Sequence, residues 1–159
     1  MTPESATAEI STLKDMLAAS VARREDSTAV RHKVDGQWRN ITYQDFLARS
    51  RQISEMLAQQ GIQPGDKIAI FRGNCAEWPE IYFGIIGIGA TAVPVDAKLL
   101  EAEVAHVLRD SESKVLFTSW NCYPVIREVA DSLPALKTVY VKNLSAIQPV
   151  VSRKLRYLD

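Results

Sequence analysis

The sequence has little of several features that would identify its class at once. It contains only two cysteines, Cys75 and Cys122, which are far apart and form no CxxC pair, so neither a disulfide framework nor a zinc site is predicted. Free thiols of this kind are typical of a reducing compartment, and we expect a cytoplasmic protein. The net charge is zero and the basic residues are scattered, which argues against a nucleic-acid partner.

Long apolar runs are also absent. The longest stretch without a charged residue, Ile81 to Val95, contains glycines and Pro94 and is shorter than the ~20 residues that a membrane-spanning helix needs. The first residues carry acidic side chains and no apolar core, so they do not form a signal peptide. We therefore expect a soluble protein with no transmembrane segment, and 159 residues are enough to bury one sizeable core.

The sequence does contain a regular alternation of helix and strand patterns. Residues 5–24 have a helical apolar repeat, and Asp35-Gly36 between two β-prone runs predicts a hairpin. Thr42 is a candidate helix cap, and Gly61 a candidate helix stop. Apolar strands are then predicted at 67–71, 91–95, 114–118 and 137–141, separated by helices at about 77–88, 100–109 and 123–133.

Apolar strands that alternate with helices predict an α/β fold, with a mostly parallel sheet and helices on both faces. An N-terminal helix at 1–24 and the β-hairpin precede this sheet. We expect 25–142 to be an α/β unit, an incomplete part of a larger domain, and 143–159 to be a connector to a missing remainder. Within the connector, Val151, Leu155 and Leu158 share one helical face, which predicts a short surface helix. Its basic neighbours would allow peripheral contact with an anionic membrane.

Most candidate catalytic patterns have a simpler explanation. Gly84, Gly87 and Gly89 resemble a dinucleotide-binding fingerprint, but they lie in an apolar helix and its exit rather than directly after a strand. Close packing of that helix on the sheet is therefore favoured. His32 and His106 are the only histidines, and neither has the neighbours that a metal site or a catalytic base requires. We predict no catalytic residue and no metal ligand.

The best candidate for ligand binding is the segment Asp96-Ala97-Lys98. It follows the carboxyl end of a strand in a parallel sheet, which is where ligands bind in open α/β folds. Lys98 offers a flexible point charge that can contact a phosphate. An ordinary exposed lysine explains the residue at least as well, and that alternative stays open.

Four segments resemble the amino-terminal part of the adenylate-forming (AMP-dependent) synthetases and ligases, in the order and spacing of that family. They are ITYQDF at 41–46, GIQPGD at 61–66, GIGATAVPVD at 87–96 and LRDSESKVLF at 108–117. The likeness extends over 29–141, most of the chain. Trp38, just before the first segment, favours the long-chain acyl-CoA ligase branch.

The resemblance implies an enzyme that activates a carboxylic or fatty acid with ATP and Mg²⁺ and then transfers the acyl group from AMP to coenzyme A. It implies that the Asp96-Ala97-Lys98 loop borders the passage for coenzyme A and its pantetheine arm. It also implies that Arg127 lies near the nucleotide end of coenzyme A, although an ordinary exposed cation explains Arg127 equally well.

The family's ATP-binding residues lie in a Ser/Thr/Gly-rich loop ending in Pro-Lys and in later segments, none of which occurs before Asp159. We therefore expect a fragment that is inactive by itself, binds none of these cofactors tightly and self-associates. The alternative is a stand-alone, non-catalytic α/β binding module.

Overall fold

The computed structural model describes residues 10–142 and 155–157. A helix α1 (Leu13–Arg24) and an antiparallel hairpin, β1 (Thr28–Val34) with β2 (Gln37–Thr42), come first. The main α/β part follows. Its elements are α2 (Tyr43–Gln59), β3 (Lys67–Phe71), α3 (Glu77–Gly87), β4 (Thr91–Val95), α4 (Glu101–Asp110), β5 (Val115–Ser119), α5 (Tyr123–Val129), a 3-10 turn (Ala130–Ser132), β6 (Thr138–Lys142) and β7 (Leu155–Tyr157).

The main sheet has five parallel strands in the order β4-β3-β5-β6-β7, which confirms the predicted α/β class. One apolar core lies between the sheet and helices α2 and α3, and it includes Ile68 and Ile70 of β3. A second core lies between the opposite face and helices α4 and α5, and it includes Ala69 and Phe71. Alternate side chains of β3 thus point into the two cores, so the sheet is covered on both faces.

Local signals in the sequence place the turns and caps correctly. Asp35 and Gly36 have φ angles of 49° and 78°, as a two-residue hairpin turn with both positions left-handed requires. Gly61 has a φ of 78° just beyond α2. The Thr42 hydroxyl accepts a hydrogen bond from the Asp45 N–H at 3.1 Å, so Thr42 caps α2 as predicted.

Helix α1 is shorter than the pattern at 5–24 predicts. It begins at Leu13 because Thr12 and Asp15 form a reciprocal capping box. The predicted residues 5–9 lie outside the part of the chain that the structure describes. The apolar repeat is only partly buried, since Leu17 faces the neighbouring helices while Leu13 and Met16 are exposed.

The predicted surface helix near the end of the sequence is wrong. Leu155–Tyr157 form strand β7, which pairs in parallel with β6 in the register Val139↔Leu155. The open edge of β6 offers unpaired N–H and C=O groups, which a strand satisfies and a helix leaves unpaired. A helical repeat over so few residues is too weak to outweigh those bonds. The rest of the predicted connector, 143–154 and 158–159, lies outside the described residues.

Strand β4 forms the other edge of the sheet. Its residue Pro94 stands opposite Ile70 of β3, and proline has no N–H to donate to a ladder. Such a residue is tolerated on an edge strand, where its missing donor faces away from the neighbouring strand. Within the described residues, no helix combines the length and apolarity needed to cross a bilayer.

The glycines of α3 pack against α2. A Cβ atom built on Gly84 would lie 2.6 Å from Cγ2 of Ile53 and 3.0 Å from the backbone oxygen of Ser50. One built on Gly87 would lie 2.6 Å from the hydroxyl oxygen of Ser54, which itself donates to the Gly84 carbonyl at 2.7 Å. The expectation of close packing is therefore correct, but the partner at these two positions is a helix and not the sheet.

Gly84→Ala is expected to lower the free energy of unfolding by roughly 1–3 kcal/mol, because the added methyl overpacks this helix contact. Helix propensity alone predicts the opposite sign, since alanine is favoured over glycine by about 1 kcal/mol inside a helix. Urea unfolding followed by circular dichroism measures the change. Gly73→Ala is the control, since a Cβ there meets no atom within 4 Å. A Gly84→Ala variant as stable as the parent would contradict the close contact.

The turn before β3 is fixed by the carboxylate of Asp66. One of its oxygens accepts the Gln63 N–H at 2.9 Å, and the other accepts a hydrogen bond from the Lys114 ammonium at 2.6 Å. These bonds, the one from Gln63 above all, hold the pKa of Asp66 below its ordinary value. Lys114 precedes β5, so the pair joins the amino ends of two neighbouring strands.

The lowered pKa of Asp66 sets a sign for the pH dependence of stability. The stabilisation is present above the unfolded-state pKa of about 3.9 and is lost as the pH falls through the folded-state value. Asp66→Asn should therefore be less stable than the parent at pH 7, and the difference should shrink towards pH 3 in urea unfolding. Lys114→Gln should lose less, because the bond from Gln63 remains. A stability difference that is the same at both pH values would contradict this account.

Candidate functional site

An open cleft of about 460 Å³ lies at the carboxyl ends of β3 and β4. One wall is the loop that follows β3, from Arg72 to Asn74, and the other runs from Pro94 to Lys98. Trp78 in the first turn of α3 also lines the cleft, with its ring stacked on Tyr82 at 5.6 Å between centroids. The cleft therefore combines apolar walls with polar groups from two loops.

The topology explains why a cleft forms at this edge of the sheet. The connection after β3 leads to α3 on one face, whereas the connections after β4 and β5 lead to α4 and α5 on the other. Loops that diverge in this way leave a crevice at the carboxyl ends of the strands. The direction in which the chain connects successive strands reverses between β3 and β5. The cleft lies one strand away from that point, between β3 and β4.

Three of the four predicted site residues come together in this cleft. Asp96, Ala97 and Lys98 all line it, and the side chains of Asp96 and Lys98 are exposed. One carboxylate oxygen of Asp96 accepts the backbone N–H of Lys98 at 3.0 Å. This local turn fixes the loop and leaves the Lys98 ammonium at the rim of the cleft.

Arg127, the fourth predicted residue, is not part of the cleft lining. It lies on α5 and is exposed, with its guanidinium 3.1 Å from the carboxylate of its neighbour Glu128. An exposed pair of adjacent residues contributes little to stability. The structure thus places this cation on the surface and does not bring it to the other three residues.

Sequence reasoning missed Arg72, which is the most buried charged residue of the cleft. Its side chain is only 6% exposed, and its guanidinium lies 3.6 Å from the Glu77 carboxylate. The residue follows an apolar strand directly, and nothing in its neighbours distinguishes it from a solvated arginine. Its burial is a consequence of how β3, β4 and α3 converge.

Thr118 of β5 was also missed, and it positions the Arg72 loop. Its hydroxyl is buried and donates to the carbonyl of Phe71 at 2.8 Å, at the last residue of β3. The bond fixes the point from which the chain turns towards Arg72. A threonine in an apolar strand gives no sequence signal of this role, because the acceptor lies 47 residues away.

No nucleophile accompanies the cleft in the part of the chain that the structure describes. Cys75 follows the Arg72–Asn74 loop, and burial, as the largest effect, raises the pKa of its thiol, so the thiol stays protonated at neutral pH. The same described residues contain no group of three or more His, Cys, Asp or Glu side chains that could hold a metal ion.

Comparison with known families decides which group this fold belongs to. The profile of the AMP-binding enzymes matches residues 17–156, which is most of the chain. The chain belongs to the AMP-binding enzyme family. The resemblance inferred from the four sequence segments is thereby confirmed, and the cleft described above is a feature of an AMP-binding fold.

Individual AMP-binding relatives agree with this assignment. A long-chain-fatty-acid–CoA ligase of Mycobacterium bovis, FadD15, is 32% identical over 130 residues, which cover 79% of this chain and 22% of the relative. A crotonobetaine/carnitine–CoA ligase of Citrobacter koseri is 33% identical over 95 residues, which cover 60% and 18%. The solved structure of a long-chain-fatty-acid CoA ligase from Rhodopseudomonas palustris, itself assigned as putative, superposes with a TM-score of 0.76 at 31% identity, covering 85% of this chain and 33% of that one.

The chain thus spans about a fifth of the length of these curated AMP-binding relatives. What the shared portion provides is the parallel sheet, the helices on its two faces and the cleft at the ends of β3 and β4. Activities of the relatives depend on their full length, so they apply to this chain only as a proposal.

Thr118→Val is expected to lower the free energy of unfolding by about 1–2 kcal/mol, because the substitution removes the bond to the Phe71 carbonyl and leaves no donor in its place. It should also shift the NMR signals of the Gly73 and Asn74 amides, which follow that carbonyl. Thr118→Ser keeps the hydroxyl and serves as the matched control. Unchanged Gly73 and Asn74 signals in the folded valine variant would show that Thr118 does not position the loop.

Proposed function

We propose that this chain supplies the amino-terminal part of an ATP-dependent acyl-CoA ligase. Such an enzyme joins a carboxylic or fatty acid to AMP with release of pyrophosphate, and then transfers the acyl group to the thiol of coenzyme A with release of AMP. The observation that supports this proposal is the cleft that the Asp96-Ala97-Lys98 loop forms within an AMP-binding fold. The relatives that share this portion of the chain are acid–CoA ligases by name.

We assign the cleft to the thiol substrate. Its walls at Pro94, Val95 and Ala97 are apolar and suit a slender, uncharged arm such as pantetheine, while the exposed ammonium of Lys98 suits a phosphate group. The carboxylate of Asp96 holds the Lys98 backbone in place and contacts no ligand in this proposal. Arg127 would be a second cation, outside the cleft, for the nucleotide end of coenzyme A.

The residues of this chain do not define a site for ATP and Mg²⁺. Mg²⁺ in enzymes of this kind is bound through one or two carboxylates together with the substrate's phosphates. The sequence also has no Ser/Thr/Gly-rich loop ending in Pro-Lys to surround the phosphates. We therefore derive no adenylation step from this chain and assign it the positioning of coenzyme A alone.

Two solution measurements test this division of roles. The pure 159-residue chain should give no ATP–pyrophosphate exchange with any fatty acid. Calorimetric titration with coenzyme A should show weak, saturable binding in the millimolar range, and Lys98→Gln should weaken it about tenfold, the loss of one charge-assisted contact. Lys67→Gln is the matched control, because Lys67 is exposed at the amino end of β3, whereas the cleft lies at the carboxyl ends of the strands.

Either of two results would contradict the proposal. Adenylation by the pure chain would show that the reactive groups lie within it. Equal coenzyme A affinity in the Lys98 and Lys67 variants would show that the cleft does not bind coenzyme A. Sequencing the coding region past the codon for Asp159 is an independent check. A stretch such as Ser-Gly-Thr-Thr-Gly-x-Pro-Lys within the next few tens of codons is the expected finding.

A further inference from the structure

The guanidinium of Arg72 is under-satisfied for a buried charge. Its Nε atom is buried and has no hydrogen-bond partner among the described residues. Its ion pair with the Glu77 carboxylate is 3.6 Å long, which is beyond hydrogen-bond range. A buried charge is costly unless it is both paired and hydrogen-bonded, so the unpartnered Nε atom lowers the stability of this arrangement.

The other part-buried ion pairs of the described chain show what a satisfied arrangement looks like. The Glu80 carboxylate accepts a hydrogen bond from Arg49 at 3.2 Å, and Asp66 accepts one from Lys114 at 2.6 Å and another from the Gln63 N–H. Both pairs connect elements that pack on one another, and their role is structural. Arg72 differs because it lines an open cleft and its guanidinium has only a long contact, 3.6 Å, with the Glu77 carboxylate.

The loop that carries Arg72 borders open space at the next residue. A Cβ atom built on Gly73 would meet no atom within 4 Å. The cleft contains two cations, Arg72 and Lys98, and one carboxylate, Asp96, which is already engaged by the Lys98 N–H. Trp78 and Val95 supply apolar surface next to these charges.

We propose that Arg72 anchors an anion-binding subsite in the wall of this cleft, distinct from Lys98 at its rim. The ligand group is a phosphate or a carboxylate, because the planar guanidinium fork binds either with two parallel hydrogen bonds. Glu77 is the internal competitor, holding the guanidinium until an anion replaces it. The subsite belongs to this chain by itself and does not depend on the proposed ligase activity.

Titration of the 159-residue chain with inorganic phosphate and, separately, with acetate tests the subsite. The NMR signals of the Gly73 and Asn74 amides should shift in a saturable way with at least one anion, and the stronger response identifies phosphate or carboxylate as the ligand group. Sodium chloride at matched ionic strength corrects for screening. The absence of saturable shifts with both anions would overturn the proposal.

Two variants should change anion affinity in opposite directions. Arg72→Gln should weaken binding at least about tenfold. Glu77→Gln should strengthen it several-fold, because the competing carboxylate is removed. Arg109→Gln is the matched control, since Arg109 is an exposed arginine near the end of α4. That end of the helix leads to the amino end of β5, away from the cleft at the carboxyl ends. Equal affinity in the parent, Arg72→Gln and Arg109→Gln would overturn the proposal.

A folding defect in one variant does not end the test. If Arg72→Gln does not fold, Arg72→Lys keeps the charge but loses the fork, and about tenfold weaker binding is again expected. Glu77→Gln leaves the arginine intact and gives a separate readout. Unchanged affinity in both Arg72→Lys and Glu77→Gln would assign Arg72 a structural role only.

Discussion

The burial of strand β3 on both faces is the constraint on which the rest of the structure depends. Residues Ile68 to Phe71 are fully inaccessible to solvent, and alternate side chains enter opposite cores. A strand in this position needs a helix layer on each side and a parallel neighbour on each edge. These demands determine where α2 and α3 lie, why α4 and α5 must cross to the other face, and why the chain leaves β3 at the bottom of a cleft.

The burial of β3 also determines how well the charged side chains around the cores are paired. The pairs Arg49–Glu80 and Asp66–Lys114 join elements at the periphery of the cores, where the charges are close and hydrogen-bonded. Arg72 is different, because it is the first residue after the buried strand and its side chain is withdrawn from solvent without equally close partners. A charge held in this way destabilises the folded state, and a bound anion would offset part of that destabilisation.

The parts of the fold that were predictable from sequence are those that local chemistry decides. Asp35-Gly36 adopts left-handed angles because aspartate tolerates them and glycine has no Cβ to oppose them, and Thr42 caps α2 through an atom three residues away. Asp96, Ala97 and Lys98 line a cleft at the carboxyl end of a parallel strand, which is the position that the sequence indicated, and their role in binding stays a prediction. Non-local packing decided the rest. The burial of Arg72, the exposure of Met16 and the contact of Gly84 with α2 depend on residues distant in sequence.

The third segment of the family resemblance, residues 87–96, shows what the sequence predicts and what it does not. Its residues predicted a helix exit and an apolar strand, and both are present, although only Val95 of this edge strand is buried. The same residues did not predict that Gly87 approaches Ser54, because that contact is set by the crossing of α2 and α3. Likewise, three residues of β7 form a strand because β6 offers unpaired backbone N–H and C=O groups. A local stretch of sequence around β7 does not reveal that partner.

Pro94 makes the sheet open-ended in one direction only. A strand added outside β4 would need a regular series of donors along that border, and proline interrupts the series in the middle of a short strand. Strands from other molecules meet the same obstacle, so the proline protects this border against edge-to-edge pairing. Among the described strands, β7 then provides the border at which further pairing is easier.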